Sequence, residues 1–264
     1  MSLLSAMLLP NGVKAAGGPP LWEAGLLGFS ASQNAYPGAS ERTQKTLVLP
    51  WLIYRGPFLR ADRGSVGLRA VRTPEFELDL GFAAALGASS EKVQARSGMP
   101  DLGLLLEAGP KLRWNLAEQG ALRWRADLPL RAVFDASDSM KMRGWSLEPA
   151  LQLEHRGETW MSSWSVAALL GNRRLADTFY GVAPVYATIE RPAYEARAGL
   201  IAWRANLAVS RALAKDWRVF GFTRLESLAG AANRASPLVQ RHSGVSFGIG
   251  LSWSGWRSDQ SAAD

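Results

Sequence analysis

The dominant period along this chain is two. Between Val245 and Trp253, one set of alternate positions carries Val, Phe, Ile, Leu and Trp, and the other carries Ser, Gly, Gly and Ser. Successive side chains of a β-strand point to opposite faces, so the segment reads as a strand with one apolar face and one small or polar face. Leu122, Trp124, Ala126, Leu128 and Leu130 interleave in the same way with Arg123, Arg125, Asp127, Pro129 and Arg131. Phe76, Leu78, Leu80 and Phe82 alternate with Glu77, Asp79 and Gly81, and Leu106, Ala108, Pro110, Leu112 and Trp114 with Glu107, Gly109, Lys111 and Arg113. Trp160, Ser162, Trp164, Val166, Ala168 and Leu170 form one face of a further run, and Trp203, Ala205, Leu207 and Val209 one face of another. No long segment shows the 3.6-residue spacing of an amphipathic helix.

This pattern predicts about twelve strands, over residues 21–33, 44–54, 57–62, 64–72, 75–87, 101–115, 119–134, 142–155, 158–171, 194–211, 215–228 and 242–254. Many are far longer than the roughly 5 or 6 residues usual in soluble sheets. They match the about 9 to 11 residues that a tilted strand needs to cross a membrane. The links support this. Short ones (near Gly56, Thr73-Pro74, Ala117-Glu118, Arg156-Gly157 and Ala214) alternate with long ones (33–44, 87–101, 134–142, 171–194 and 228–242), apart from a tight link at Asp62-Arg63-Gly64. Short periplasmic turns alternating with long outer loops are the pattern of an outer-membrane barrel. The expected fold is therefore all-β: a transmembrane antiparallel up-and-down β-barrel. It must be closed, because lipid cannot hydrogen-bond an open strand edge.

Composition agrees without deciding the matter. Apolar residues make up 47% of the 264, and a barrel needs only every second strand residue apolar. Eleven Trp against 5 Tyr and 9 Phe favour a chain with many positions at a lipid–water boundary. No Cys is present, which excludes disulfide frameworks and Cys-based metal or redox sites. The net charge is +7, but the arginines recur singly within apolar runs rather than in the cluster expected for nucleic-acid binding. No run reaches the roughly 20 apolar residues of a membrane helix. Residues 1–16, with Leu3 to Leu9 as a short apolar core, read as a truncated signal peptide or else as a disordered arm. Residues 17–264 are then the barrel.

The polar faces converge on the lumen. Its candidates are Arg113, Arg123, Arg125, Arg131, Arg204 and Arg218, with Glu77, Asp79, Glu107, Asp127, Glu148 and Glu154. Unpaired charge in a narrow interior is costly, so arginine–carboxylate pairing is expected. A paired plug is favoured over a charge-lined pore. No catalytic site is expected. The only histidines, His155 and His242, fall at opposite ends of the barrel, and His242 and Ser243 point to opposite faces of a strand. Glu77 and Asp79 share a face, but structural pairing suits them better. No cofactor or metal motif is present.

Several segments also resemble one family. Ala35-Tyr36-Pro37-Gly38-Ala39-Ser40 is followed by Leu49-Pro50-Trp51-Leu52-Ile53-Tyr54. Thr178-Phe179-Tyr180-Gly181-Val182 precedes Pro192-Ala193-Tyr194-Glu195-Ala196-Arg197, and Ala235-Ser236-Pro237-Leu238-Val239 precedes the last strand. Their order and content resemble the MipA/OmpV family of outer-membrane proteins. The resemblance implies a barrel among outer-membrane lipids, and a non-catalytic scaffold that joins a lytic transglycosylase to a bifunctional murein synthase. A small-solute porin and a surface adhesin are the alternatives.

Overall fold

A computed structural model describes residues 20–55, 59–62, 65–85 and 93–260. The signal-peptide reading of residues 1–16 lies outside them, as do parts of the links near Gly56 and Arg63. The strands are β1 (Trp22–Asn34), β2 (Arg42–Arg55), β3 (Leu59–Asp62), β4 (Ser65–Arg72), β5 (Phe76–Ala85), β6 (Leu105–Gln119), β7 (Leu122–Asp135), β8 (Lys141–Leu147), β9 (Ala150–Arg156), β10 (Trp160–Gly171), β11 (Gly199–Ala212), β12 (Trp217–Ser227) and β13 (Ser243–Arg257). Antiparallel neighbours pair around the sheet, and the β1–β13 and β10–β11 pairings close the ring, although β2 meets β3 only at Tyr54 and Arg55 among the described residues.

β8 and β9 share one place in that ring. Both pair with β7 on one side and β10 on the other. The break falls at Glu148-Pro149, because proline has no N–H to give to the ladder. Glu148 N–H still donates to Pro129 O at 3.2 Å, and Pro149 O accepts from Ala168 N at 3.1 Å. With β8 and β9 counted as one, the 13 strands fill twelve positions.

Among the described residues, four turns lie at the end where Leu21 N–H donates to Gln260 O at 2.7 Å. The long loops lie at the other end, so the turns mark the periplasmic side. The expected turn at Ala117-Glu118 is instead at Gly120-Ala121. β6 runs on to Gln119 through a bulge after Asn115, and Gly120 takes the left-handed backbone (φ 57°) that the tight reversal needs. Two strands start later than expected, at Leu105 rather than 101 and at Gly199 rather than 194. The residues before them belong to the loops; Tyr194, for example, bridges to Val182.

The outer wall carries the apolar face of the alternation. Leu128, Leu130, Val166, Leu225, Phe247, Ile249 and Leu251 are exposed, whereas Arg125, Arg131, Ser246 and Ser252 between them are buried. An exposed apolar belt on a closed sheet fits lipid. Trp22, Trp114, Trp124, Trp160, Trp217 and Trp256 ring its periplasmic edge, all exposed. Trp253 lies on the same face, half-buried between Trp217 and Trp256, with ring centroids 6.4 and 5.2 Å away. Among the described residues, no helix is long and apolar enough to cross a membrane.

Candidate functional site

The lumen and its outer mouth hold nearly all of the unusual chemistry. Across β5, β6 and β7, Glu77, Arg113 and Asp127 stand directly opposite one another. Arg113 binds Asp127 through two nitrogens, at 2.9 and 3.2 Å, and lies 3.9 Å from Glu77. Such fork-to-fork geometry is the strongest form of the pair. Arg125 holds Glu154 at 2.7 Å, and Arg156 takes the other oxygen at 2.9 Å. Arg131 reaches Glu107 at 3.1 Å. Arg204, wholly buried, binds Glu148 at 2.7 Å and Glu226 at 2.9 Å. Glu148 sits at the break between β8 and β9 and takes Arg204 from β11, across the intervening β10.

The other candidates fall at the margins of this network. Asp79 stands opposite Lys111. Arg123 is half-exposed at the periplasmic rim and pairs with Glu118. Arg218 donates to Ser210 Oγ at 3.3 Å and meets no carboxylate among the described residues. Glu226 and Arg224 were not among the candidates, although they follow Arg218 at alternate positions of β12. The period-two reading extended along that strand would have found both. Arg224 donates to Asn206 at 2.7 Å.

Another part of the inner wall is apolar. Leu27, Phe29, Ala31, Trp51, Ala208, Phe220 and Phe222 pack together inside β1, β2, β11 and β12. The small inner face of β13 makes room for them. A Cβ on Gly250 would lie 2.2 Å from Phe220 Cζ, and one on Gly248 would lie 2.5 Å from Phe222 Cε1. The glycines that looked featureless in the sequence are where the phenyl rings rest.

A folded cap closes the outer mouth. It is built from the loops around residues 35–41, 93–104, 172–198 and 228–242, and its core includes Tyr36, Val93, Met99, Leu102, Phe179, Tyr180, Val182, Leu228 and Leu238. One loop contains a helix, α1 (Arg173–Tyr180), which was not expected from the sequence. Asn172 Oδ1 accepts from Leu175 N–H at 3.0 Å and caps its start. Arg96 closes its far end by donating to Thr178 O and Phe179 O at 3.4 and 3.3 Å, where the last helical carbonyls lack partners.

The segments around Tyr36, Tyr180 and Ser236 meet in this cap. Tyr36 Oη donates to Leu238 O at 2.7 Å, Tyr180 Oη to Pro37 O at 3.0 Å, and Ser236 Oγ to Tyr180 O at 2.8 Å. Burial pushes the Tyr36 phenol up to about 12, although nearby Arg96 draws it back in part. Burial raises Tyr180 still further, and lowers Arg96. Both phenols therefore stay protonated and keep donating at ordinary pH. Gly38 turns the first loop with φ 95°, a backbone that side chains rarely adopt.

Residues 26–255 match the family described as MltA-interacting protein MipA. This chain belongs to that family. The MipA match, the closed ring, the apolar belt and the tryptophan girdle place it in the bacterial outer membrane. No curated protein matches it. Its fold is similar to the NanC porin, at 11% identity over 87% of this chain and 100% of that one, with a TM-score of 0.43. It is also similar to the KdgM porin (10% identity, 88% and 99% coverage, TM-score 0.41) and to outer membrane phospholipase A from Escherichia coli (11%, 89% and 94%, TM-score 0.38). At these scores the likeness bears on neither solute nor reaction.

Proposed function

We propose that this MipA-family barrel is a non-catalytic scaffold whose periplasmic face gathers murein-processing enzymes, a lytic transglycosylase and a bifunctional murein synthase, at the outer membrane. The observation that carries the reading is the filled interior. Ion pairs and phenyl rings occupy the lumen, and a packed cap with its own core covers the outer mouth. Both stand in the way of a wide solute passage. The family description, MltA-interacting protein, supports the same reading. His155 is exposed at the periplasmic end of β9, whereas His242 precedes β13 at the outer end and accepts from Arg234 at 3.4 Å. Among the described residues, neither histidine is hydrogen-bonded to a hydroxyl.

A second reading has one observation in its favour. Val185 and Ile189 are almost wholly exposed on an outer loop. Arg191 holds that loop by donating to Ala95 O, Ser97 O and Tyr186 O. Apolar side chains presented on a fixed outer loop suit surface adhesion.

The test is photo-crosslinking from the periplasmic turns, with the reactive group at Glu158 or Lys215, followed by mass spectrometry of the adducts. Murein enzymes are the expected adducts. Recovery of none, alongside crosslinks to host surface components from position 189, would replace the scaffold with the adhesin.

A further inference from the structure

The lipid-facing wall carries an irregularity over its last three strands. β11, β12 and β13 stand side by side there, with Leu207, Thr223 and Phe247 in one row, Val209, Gly221 and Ile249 in the next, and Arg211, Val219 and Leu251 in the third. Gly221 points outward between inward-facing Phe220 and Phe222, and it leaves a gap between the larger side chains on either side. The resulting open groove of about 380 Å³ is lined by Leu207, Val209, Gly221, Phe247 and Ile249, and it ends at Trp160 and Arg211.

Its two ends differ chemically. The upper part is apolar and lies within the belt. The lower end lies on the tryptophan girdle, where the Arg211 guanidinium sits over the Trp160 ring, 5.0 Å from its centroid. Arg211 is exposed and has no carboxylate partner among the described residues. In the next turn, Asp216 is already taken by Arg257, and Lys215 adds a second exposed cation. An apolar slot that rises into the membrane from a cation at the periplasmic interface has the chemical layout of one lipid molecule. Long cationic side chains at this depth are suited to anionic headgroups, and guanidinium suits phosphate.

We propose that this groove is a binding site for an anionic phospholipid of the periplasmic leaflet, with one acyl chain lying over Gly221 and the phosphate on Arg211. The site follows from charge complementarity and depth, and it is independent of the scaffold reading. Two substitutions separate its parts. Arg211→Gln removes the cation and leaves the slot. Gly221→Leu fills the slot and leaves the cation, and its Cβ would meet nothing closer than Gly248 O at 3.4 Å.

The experiment is native mass spectrometry of the folded protein released from detergent after incubation with phosphatidylglycerol, or with inorganic phosphate alone. Heat-modifiable migration on gels verifies that each variant is folded. The wild type is expected to retain one phosphatidylglycerol, and each variant to retain about tenfold less, as loss of a charge-assisted contact or of an apolar seat implies. Equal retention by all three proteins overturns the site. Retention of phosphatidylglycerol that is lost with Arg211→Gln but indifferent to Gly221→Leu would reduce the site to a bare anion contact and overturn the acyl slot. A dimer crosslinked through position 221 would assign the groove to a second copy and overturn the lipid.

Discussion

Arg204 is the residue on which the interior depends most. It is fully buried, with carboxylates from two other segments on it. Removing one partner of such a buried cluster leaves uncompensated charge and costs about 3–5 kcal/mol. Arg204→Ala should therefore lower the urea midpoint of the folded barrel sharply. Adding Glu148→Gln and Glu226→Gln should recover much of the loss, and failure to recover would show that packing, not charge, is what Arg204 supplies. Alternation alone picks out Arg113, Arg125, Arg131 and Arg204, which lie on the polar side of obvious strands. It does not say which carboxylate each one takes. Arg204 meets Glu226 through the β11–β12 register and Glu148 across β10, and no local pattern encodes either.

At the scale of elements, the strands were legible because lipid on one side and a polar lumen on the other enforce period two over long runs. The cap was not, because its core is assembled from loops far apart in sequence. α1 is only eight residues, and its buried Leu175, Ala176, Phe179 and Tyr180 make too short a pattern to stand out. The alternation predicts the eighth strand, 142–155, as continuous, and Pro149 breaks it in two. The cap also has its own pH dependence. Tyr36 is held at about 12 in the fold against an ordinary 10.0, so its neutral form is favoured by folding. That share of stability is complete below pH about 10 and is lost as pH rises through about 12. Phenolate absorbance should show one late-titrating tyrosine in this window, with the outer loops becoming protease-sensitive over the same range. Tyr36→Phe should abolish the late component, and its persistence would reassign it.

For the whole molecule, the ion-paired lumen and capped outer mouth predict no ion conduction. Planar bilayers containing folded protein should give no discrete channel steps at low or high salt. Reproducible steps with mild anion preference would instead favour the porin, with the surplus of basic side chains at the rims setting the field. The pairing of β1 with β13 has another consequence. Residues such as Ser32 and Phe247 face each other across this joint, although almost the entire chain lies between them. The entropy of bringing them together must be lost before either edge is satisfied. Until that moment both outermost strands offer bare N–H and C=O groups to any neighbour. Synthesis from one end cannot complete the ring by instalments. The newly made chain travels as an adhesive, unfinished ribbon, and its yield is set by a race between zipping that last joint and aggregating.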